Sequence, residues 1–146
     1  MKKFQFNLQR LLNLREHEEH EWEIKLGQAV TECVRIEGEI KNRTSEIDRV
    51  LRTRGAVDGR EDQLLAMELY KRRMKFELIE LGDELKRAES KRDEIRGDFL
   101  EVSRNRKVLS RLKEKREAEY YKDQLKKEHD QIDEINNARA AGRSML

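Results

Sequence analysis

The residues of this chain that could do chemistry are few, and none of them completes a site. His17-Glu18-Glu19-His20 is the one cluster with a metal-binding look. A helical zinc-protease site needs two histidines four residues apart with a glutamate between them. Here the spacing is three, and no third ligand is placed. Glu16, Glu21 and Glu23 surround the cluster, so it reads as a solvated acidic face, and no metal is expected. Cys33, the single cysteine, cannot close an internal disulfide and reads as a small buried hydrophobe, not a nucleophile. Gly27, Gly38, Gly82 and Gly97 are dispersed, where a phosphate-binding loop would gather them. No serine or cysteine stands beside a histidine and an acid in a catalytic motif. The chain is therefore expected not to be an enzyme, with no catalytic residue and no cofactor.

The composition says what kind of scaffold this is. Of 146 residues, 44% are charged, 36% apolar and 5% aromatic, and there is no proline. An ordinary globular domain is roughly 25% charged and roughly 45–50% apolar, so apolar side chains are too few here for a thick layered core. The charges nearly balance at +2, which argues against a dedicated nucleic-acid binder, whose basic excess would appear in the total. The longest apolar run, Leu64-Leu65-Ala66-Met67, falls far short of the ~20 residues that span a bilayer. Asn7, Gln9, Arg10 and Asn13 interrupt any signal-peptide stretch behind Lys2 and Lys3. A cytoplasmic chain is expected.

High charge can mean disorder, and periodicity decides against it. One register runs Leu8, Leu12, Arg15, Glu19, Trp22, Leu26, Ala29, Cys33, Ile36, Ile40, Arg43, Ile47, Val50, Arg54, and ten of its fourteen positions are apolar. A second runs Leu64, Met67, Lys71, Met74, Leu78, Leu81, Leu85, Ala88, Arg92, Ile95, Phe99, Val102, Arg106, Leu109, Lys113, Arg116, Tyr120, with twelve of seventeen apolar. A spacing averaging 3.5 residues puts one narrow stripe on each helix and favours a left-handed coiled coil. Gly55-Ala56-Val57-Asp58-Gly59 breaks the pattern: Gly55 suits a helix-closing position, and Asp58 with Glu61 resembles a capping box.

The fold class expected is all-α, a two-helix antiparallel coiled-coil hairpin with unequal helices, the second overhanging. It forms a single unit: helix 1 about 7–54, turn 55–59, helix 2 about 60–136, and a frayed tail at 137–146. With the turn near Val57, facing residues should have numbers summing to about 115 if the rises match. Leu8 then faces the Lys107 region, and Arg111 to Ile135 overhangs. Two such helices offer no concave pocket.

Charge is uneven along the chain. Met1 to Arg15 holds Lys2, Lys3, Arg10 and Arg15 and no acid, while Arg104 to Lys127 has ten basic residues against four acidic ones. Antiparallel folding brings the two together. They form either ordinary solvated helix faces or a basic surface that docks an acidic protein. Phe4, Phe6, Leu8, Leu11, Leu12 and Leu14 make the opening unusually apolar. Seam and flank, a docked partner helix or groove, and a membrane surface are the three readings. Tyr70 and Phe76 sit off the seam register and are candidates to face a partner.

The opening Phe4-Gln-Phe-Asn-Leu-Gln-Arg-Leu-Leu-Asn-Leu-Arg-Glu-His-Glu-Glu resembles the start of the flagellar export protein FliJ family. The length, the two unequal helices and the Lys- and Glu-rich end are similar too. Members of that family resemble the coiled coil of the central stalk of rotary ATP synthases. The resemblance implies a cytoplasmic protein peripherally associated with the flagellar base at the inner membrane. It implies partners as well: the hexameric export ATPase, which it would bind and stimulate, the cytoplasmic domain of the export-gate membrane protein, and export chaperones. No nucleic acid is expected, and the chain is expected to be monomeric. The implied ATPase-binding residues are Phe4, Phe6, Leu8, Arg10, Leu11, Arg15, Arg104, Arg106, Arg111 and Lys115; those for the gate are Tyr70 and Met74. The alternative is a general coiled-coil tether or homodimerising scaffold.

Overall fold

The computed structural model describes residues 2–54 and 61–144. Two helices account for most of them: α1, Gln9–Arg54, and the longer α2, Glu61–Ser144. The predicted turn at 55–59, with Gly55 and Asp58, lies outside the described residues. Glu61 and Asp62 occupy the first turn of α2, where the helix dipole favours negative charge, and Arg143 occupies its last turn. The helices pack against each other, so the fold is all-α as expected.

The 3.5-residue spacing is the pattern of burial. Of the thirteen described positions in the first register, only Arg43 is exposed; of the seventeen in the second, only Leu64, Lys71 and Arg116 are. Two helices can cover only a line between them. Full burial is correspondingly rare: Phe6, Leu12, Cys33 and Ile36 are the buried apolar residues, with Ser103 the buried polar one.

The chain forms two compact units, residues 20–101 and residues 2–19 with 102–144. In the first, Cys33 and Ile36 are the best-covered apolar side chains among the described residues. Arg35 donates to Glu84 across the helix pair (3.4 Å) and to Glu32 and Glu39 on its own helix (2.6 and 2.7 Å). Arg43 bonds Glu77. The Arg35 hydrogen bond holds the Glu32 carboxyl below its ordinary pKa. These ties are exposed and stabilise little; Ile36 and its neighbours on the seam carry the association. In the second unit Arg106 reaches Glu19, Arg116 reaches Asn7 and Tyr120 reaches Lys2. In both units residue numbers fall on α2 as they rise toward α1's end, so each is an antiparallel pair.

Three details differ from expectation. Facing residues sum to 119 and 120 in one unit (Arg35 with Glu84, Arg43 with Glu77) and to 122–125 in the other, not to 115. The start of the chain accordingly faces 116–120, not the Lys107 region. The sum of 115 assumed equal rises and a turn that sets the register; the register follows from which side chains mesh on the seam. Consequently Arg111 to Tyr120 does not overhang: Leu112, Lys113, Glu117 and Tyr120 are half-buried. Finally, α2 remains helical through 137–144, where fraying was expected. Ala138, Ala140 and Ala141 are strong helix formers that sustain it.

Replacing Ile36, 1% exposed, by alanine should lower stability by about 2–4 kcal/mol. Val34→Ala, two positions away and exposed, should change it by less than about 0.5 kcal/mol. Urea denaturation followed by far-ultraviolet circular dichroism separates the two; equal effects would contradict a seam-borne fold.

Candidate partner-binding surface

The first residues do not join α1. Gln9 N–H donates to the Phe6 carbonyl (3.1 Å) and Leu12 N–H to that of Leu8 (2.9 Å), so the helix starts from a turn at Asn7 and Leu8. Ahead of it, Phe4 and Phe6 alternate with polar residues and pack onto α2. The Phe4 and Tyr120 rings lie 5.6 Å apart, and Tyr120 is 5.5 Å from Tyr121. The Tyr120 hydroxyl donates to the Lys2 carbonyl (2.5 Å) and Arg116 Nη1 to Asn7 Oδ1 (2.7 Å). The Arg116 guanidinium sits 5.8 Å from the centre of the Phe6 ring, within cation–π range. Arg116 therefore occupies a seam position because the segment ahead of α1, not a helix, lies opposite it.

This places the opening residues named for ATPase binding. Phe6 is buried and Phe4 and Leu8 are half-buried against the chain itself. Leu11 and Arg10 are exposed, as is Leu14. Arg15 is held by Glu18 (3.0 Å).

The four basic residues of α2 named for ATPase binding divide. Arg106 lies on the seam: its Nε donates to Glu19 Oε2 (2.9 Å), and Nη1 contacts the Ser110 hydroxyl (3.4 Å). Arg104, Arg111 and Lys115 are exposed, and among the described residues none has an ion pair. At about 100° per residue these three fall within roughly 40° of one another, opposite the seam positions Val102, Leu109 and Lys113. Lys122 continues the same line and Val108, also exposed, interrupts it. The charge count of the segment pointed to a basic surface but not to this face. Projecting the segment at 3.6 residues per turn separates Arg106 from the others and adds Lys122 and Val108. Arg10, Arg104, Arg111, Lys115 and Lys122 all belong to one compact unit.

The stretch named for the export gate lies in the other unit. Tyr70 and Met74 are both half-buried. Met74 lines a shallow groove with Ile47, Leu78 and Ile79, bordered by Lys71 and Lys75. Besides Leu64, the exposed large apolar side chains here are Leu65, Leu69, Phe76 and Ile79. At the same angular step they share the face of α2 opposite Met67, Met74 and Leu81. Of these Phe76 stood out from the sequence as a residue off the seam.

The histidine–glutamate cluster is used for ion pairing. Glu18 serves Arg15, Glu19 serves Arg106, and His20 Nδ1 lies 3.8 Å from Glu23. Among the described residues no group of three or more histidine, cysteine, aspartate or glutamate side chains is arranged to hold a metal. No described helix is long and apolar enough to cross a membrane.

A highly charged pair of antiparallel helices, thin at the core and carrying a basic and an apolar outer face, defines the class: a long helical hairpin. The family model described as Flagellar FliJ protein matches residues 4–145, and the chain belongs to that family. It is thereby a non-enzymatic component of the flagellar export apparatus. Neither the curated proteins nor the solved structures yield a match.

The Arg106–Glu19 pair, about three-quarters buried on both sides, should couple measurably. A double-mutant cycle through Arg106→Gln and Glu19→Gln should give about 1 kcal/mol in thermal or urea unfolding. Zero coupling would mean that the pair does not help hold this unit together.

Proposed function

We propose that this protein acts as a coiled-coil stalk that binds the hexameric export ATPase through the unit containing its N-terminal segment and raises its rate of hydrolysis. The observation that carries this reading is the unpaired basic face: Arg104, Arg111 and Lys115, with Lys122, stand exposed on one side of α2. Arg10 and Leu11 add exposed basic and apolar groups from α1 in the same unit. Arg111 and Lys115 are four residues apart on this face, and the acids at three- or four-residue spacing from its bases, Glu101, Glu114 and Glu119, make no ion pair with them. Like charges held together favour an acidic surface as partner, and attraction of this kind speeds encounter.

Phe4, Phe6, Arg15 and Arg106 have a supporting part in this reading. Phe4, Phe6 and Arg106 tie the N-terminal segment and α1 to α2, and Arg15 is held by Glu18 within α1, so that together they position the exposed groups. Stimulation then follows from differential contact. A stalk that touches some subunit conformations of a ring better than others shifts their populations, and only such a difference can do so. The second part of the proposal is a link to the cytoplasmic domain of the export gate through the start of α2, around Tyr70 and Met74, with exposed Leu65, Leu69 and Phe76 supplying the contact area. Export chaperones are further partners, and the protein works in the cytoplasm at the flagellar base.

Added to its cognate export ATPase, the protein should raise hydrolysis several-fold at ~50 mM salt and less at ~300 mM, where screening is stronger. Arg104→Glu with Arg111→Glu should remove most of that stimulation without loss of helicity. Stimulation that is absent at every salt concentration, with both proteins folded, would refute the ATPase reading. In a pull-down with the export-gate cytoplasmic domain, Leu69→Asp with Phe76→Asp should abolish capture at unchanged melting temperature. Met74→Ala should lower the melting temperature instead. Unchanged capture by the Leu69/Phe76 variant would refute the gate contact.

A further inference from the structure

Beyond Tyr120, whose hydroxyl bonds the Lys2 carbonyl, α2 continues with Gln124 half-buried and its other residues through Arg143 exposed. The seam register that includes Leu109, Lys113, Arg116 and Tyr120 would pass next through Asp123, Lys127 and Asp130, which are charged. A different stripe takes over. Tyr121, Leu125, Ile132 and Ile135 recur at steps of three and four, with Glu128 and Arg139 filling the positions between and after them. At about 100° per residue these six lie within roughly 80° of arc. Leu125 is 62% exposed and Ile132 and Ile135 are each 53% exposed.

The neighbours of the stripe are sorted as well. Gln124, Gln131 and Ala138 border one side and His129 and Asn136 the other, while Lys126, Lys127, Asp130, Asp133 and Glu134 fall on the far side. An isolated solvated helix gains nothing from separating its charges in this way, whereas a helix that lies against another does.

We propose that residues 121–143 pair, weakly and antiparallel, with the same segment of a second copy of this chain. Self-complementary charge selects this occupant. A parallel, in-register pair sets Glu128 against Glu128 and Arg139 against Arg139, which repel. Among antiparallel registers that interleave the stripe, one whose facing numbers sum to 260 sets Glu128 against Ile132 and leaves the carboxylate without a partner. The register summing to 267 sets Glu128 against Arg139 twice, Ile132 against Ile135 twice, and Leu125 against Gly142 twice. A polar pair at a seam position is the usual way a coiled coil fixes its register. Gly142 provides space for leucine, since a Cβ there would meet nothing in its own chain. The overlap, from 125 to 142, is ~27 Å long. With only three or four apolar side chains per copy, the contact is at the small, transient end of protein interfaces. It therefore forms with rising concentration and leaves the dilute chain monomeric. The basic face on the preceding turns cannot pair in this way, because Arg104, Arg111 and Lys115 offer only one sign of charge.

Sedimentation equilibrium on the full chain tests the proposal without any other protein. The mass should be 17.5 kDa at ~10 μM and should rise toward twice that by ~1 mM, the range of a weak complex. Glu128→Arg, which sets arginine against arginine, and Ile132→Asp should each hold the mass at the monomer value. Glu128→Arg combined with Arg139→Glu should restore association, and circular dichroism should show equal helicity in all four proteins. A wild-type mass that stays at 17.5 kDa throughout would overturn the proposal and assign the stripe to another protein's helix. Association that survives Ile132→Asp, or that the double swap fails to restore, would overturn it as well.

Discussion

The constraint on which the rest of this structure depends is that two helices can bury no more than a line. Each contributes one side chain in every three or four, and the remainder stay at the surface. Among the described residues only Phe6, Leu12, Cys33 and Ile36 are buried apolar side chains, and Cys33 and Ile36 sit one turn apart on the same stripe. Everything outside that line must be soluble on its own account. High charge in this protein is therefore a geometric consequence of having so little interior. The same constraint leaves no enclosed volume in which a substrate could be held away from water. Contact surfaces are what such a fold can offer, and it can offer different ones on different faces of a single helix.

Much of this was legible from spacing because the seam is periodic and uninterrupted by proline. The first register predicted burial at twelve of its thirteen described positions, and its one exposed member, Arg43, reaches across to Glu77. The second register failed only at Leu64, Lys71 and Arg116. Lys71 and Arg116 are cationic, and their long stems can lie along apolar surface while the charged head stays in water.

The N-terminal segment was not legible, for a physical reason. A helical repeat describes how a helix meets a helix, whereas Phe4 and Phe6 alternate, as extended residues do, and pack onto aromatic and guanidinium groups more than a hundred residues away. Nothing local to Tyr120 or Arg116 announces that they will receive them. The register between the helices was equally hidden, since the identity of the meshing side chains fixes it and the connection does not. The basic surface lay between these cases. Its charge was plain in the count, but its direction needed the projection that sets Arg106 on the seam and Arg104, Arg111 and Lys115 away from it.

The near-zero net charge is best understood along α2 instead of over the whole chain. A balanced total is commonly taken to mean that long-range electrostatics are weak, yet screening limits such forces to about 8–10 Å at physiological salt. Over that distance a partner feels one face of one helix over a few turns and never the sum. Around Arg104 to Lys122 that face carries one sign, and it would attract a surface of the opposite sign. Some turns later, around Glu128 and Arg139, opposite signs alternate along an apolar stripe and can satisfy each other between copies. A helix held by a single seam can therefore carry two surfaces with opposite requirements for their partners, because nothing in its interior couples them.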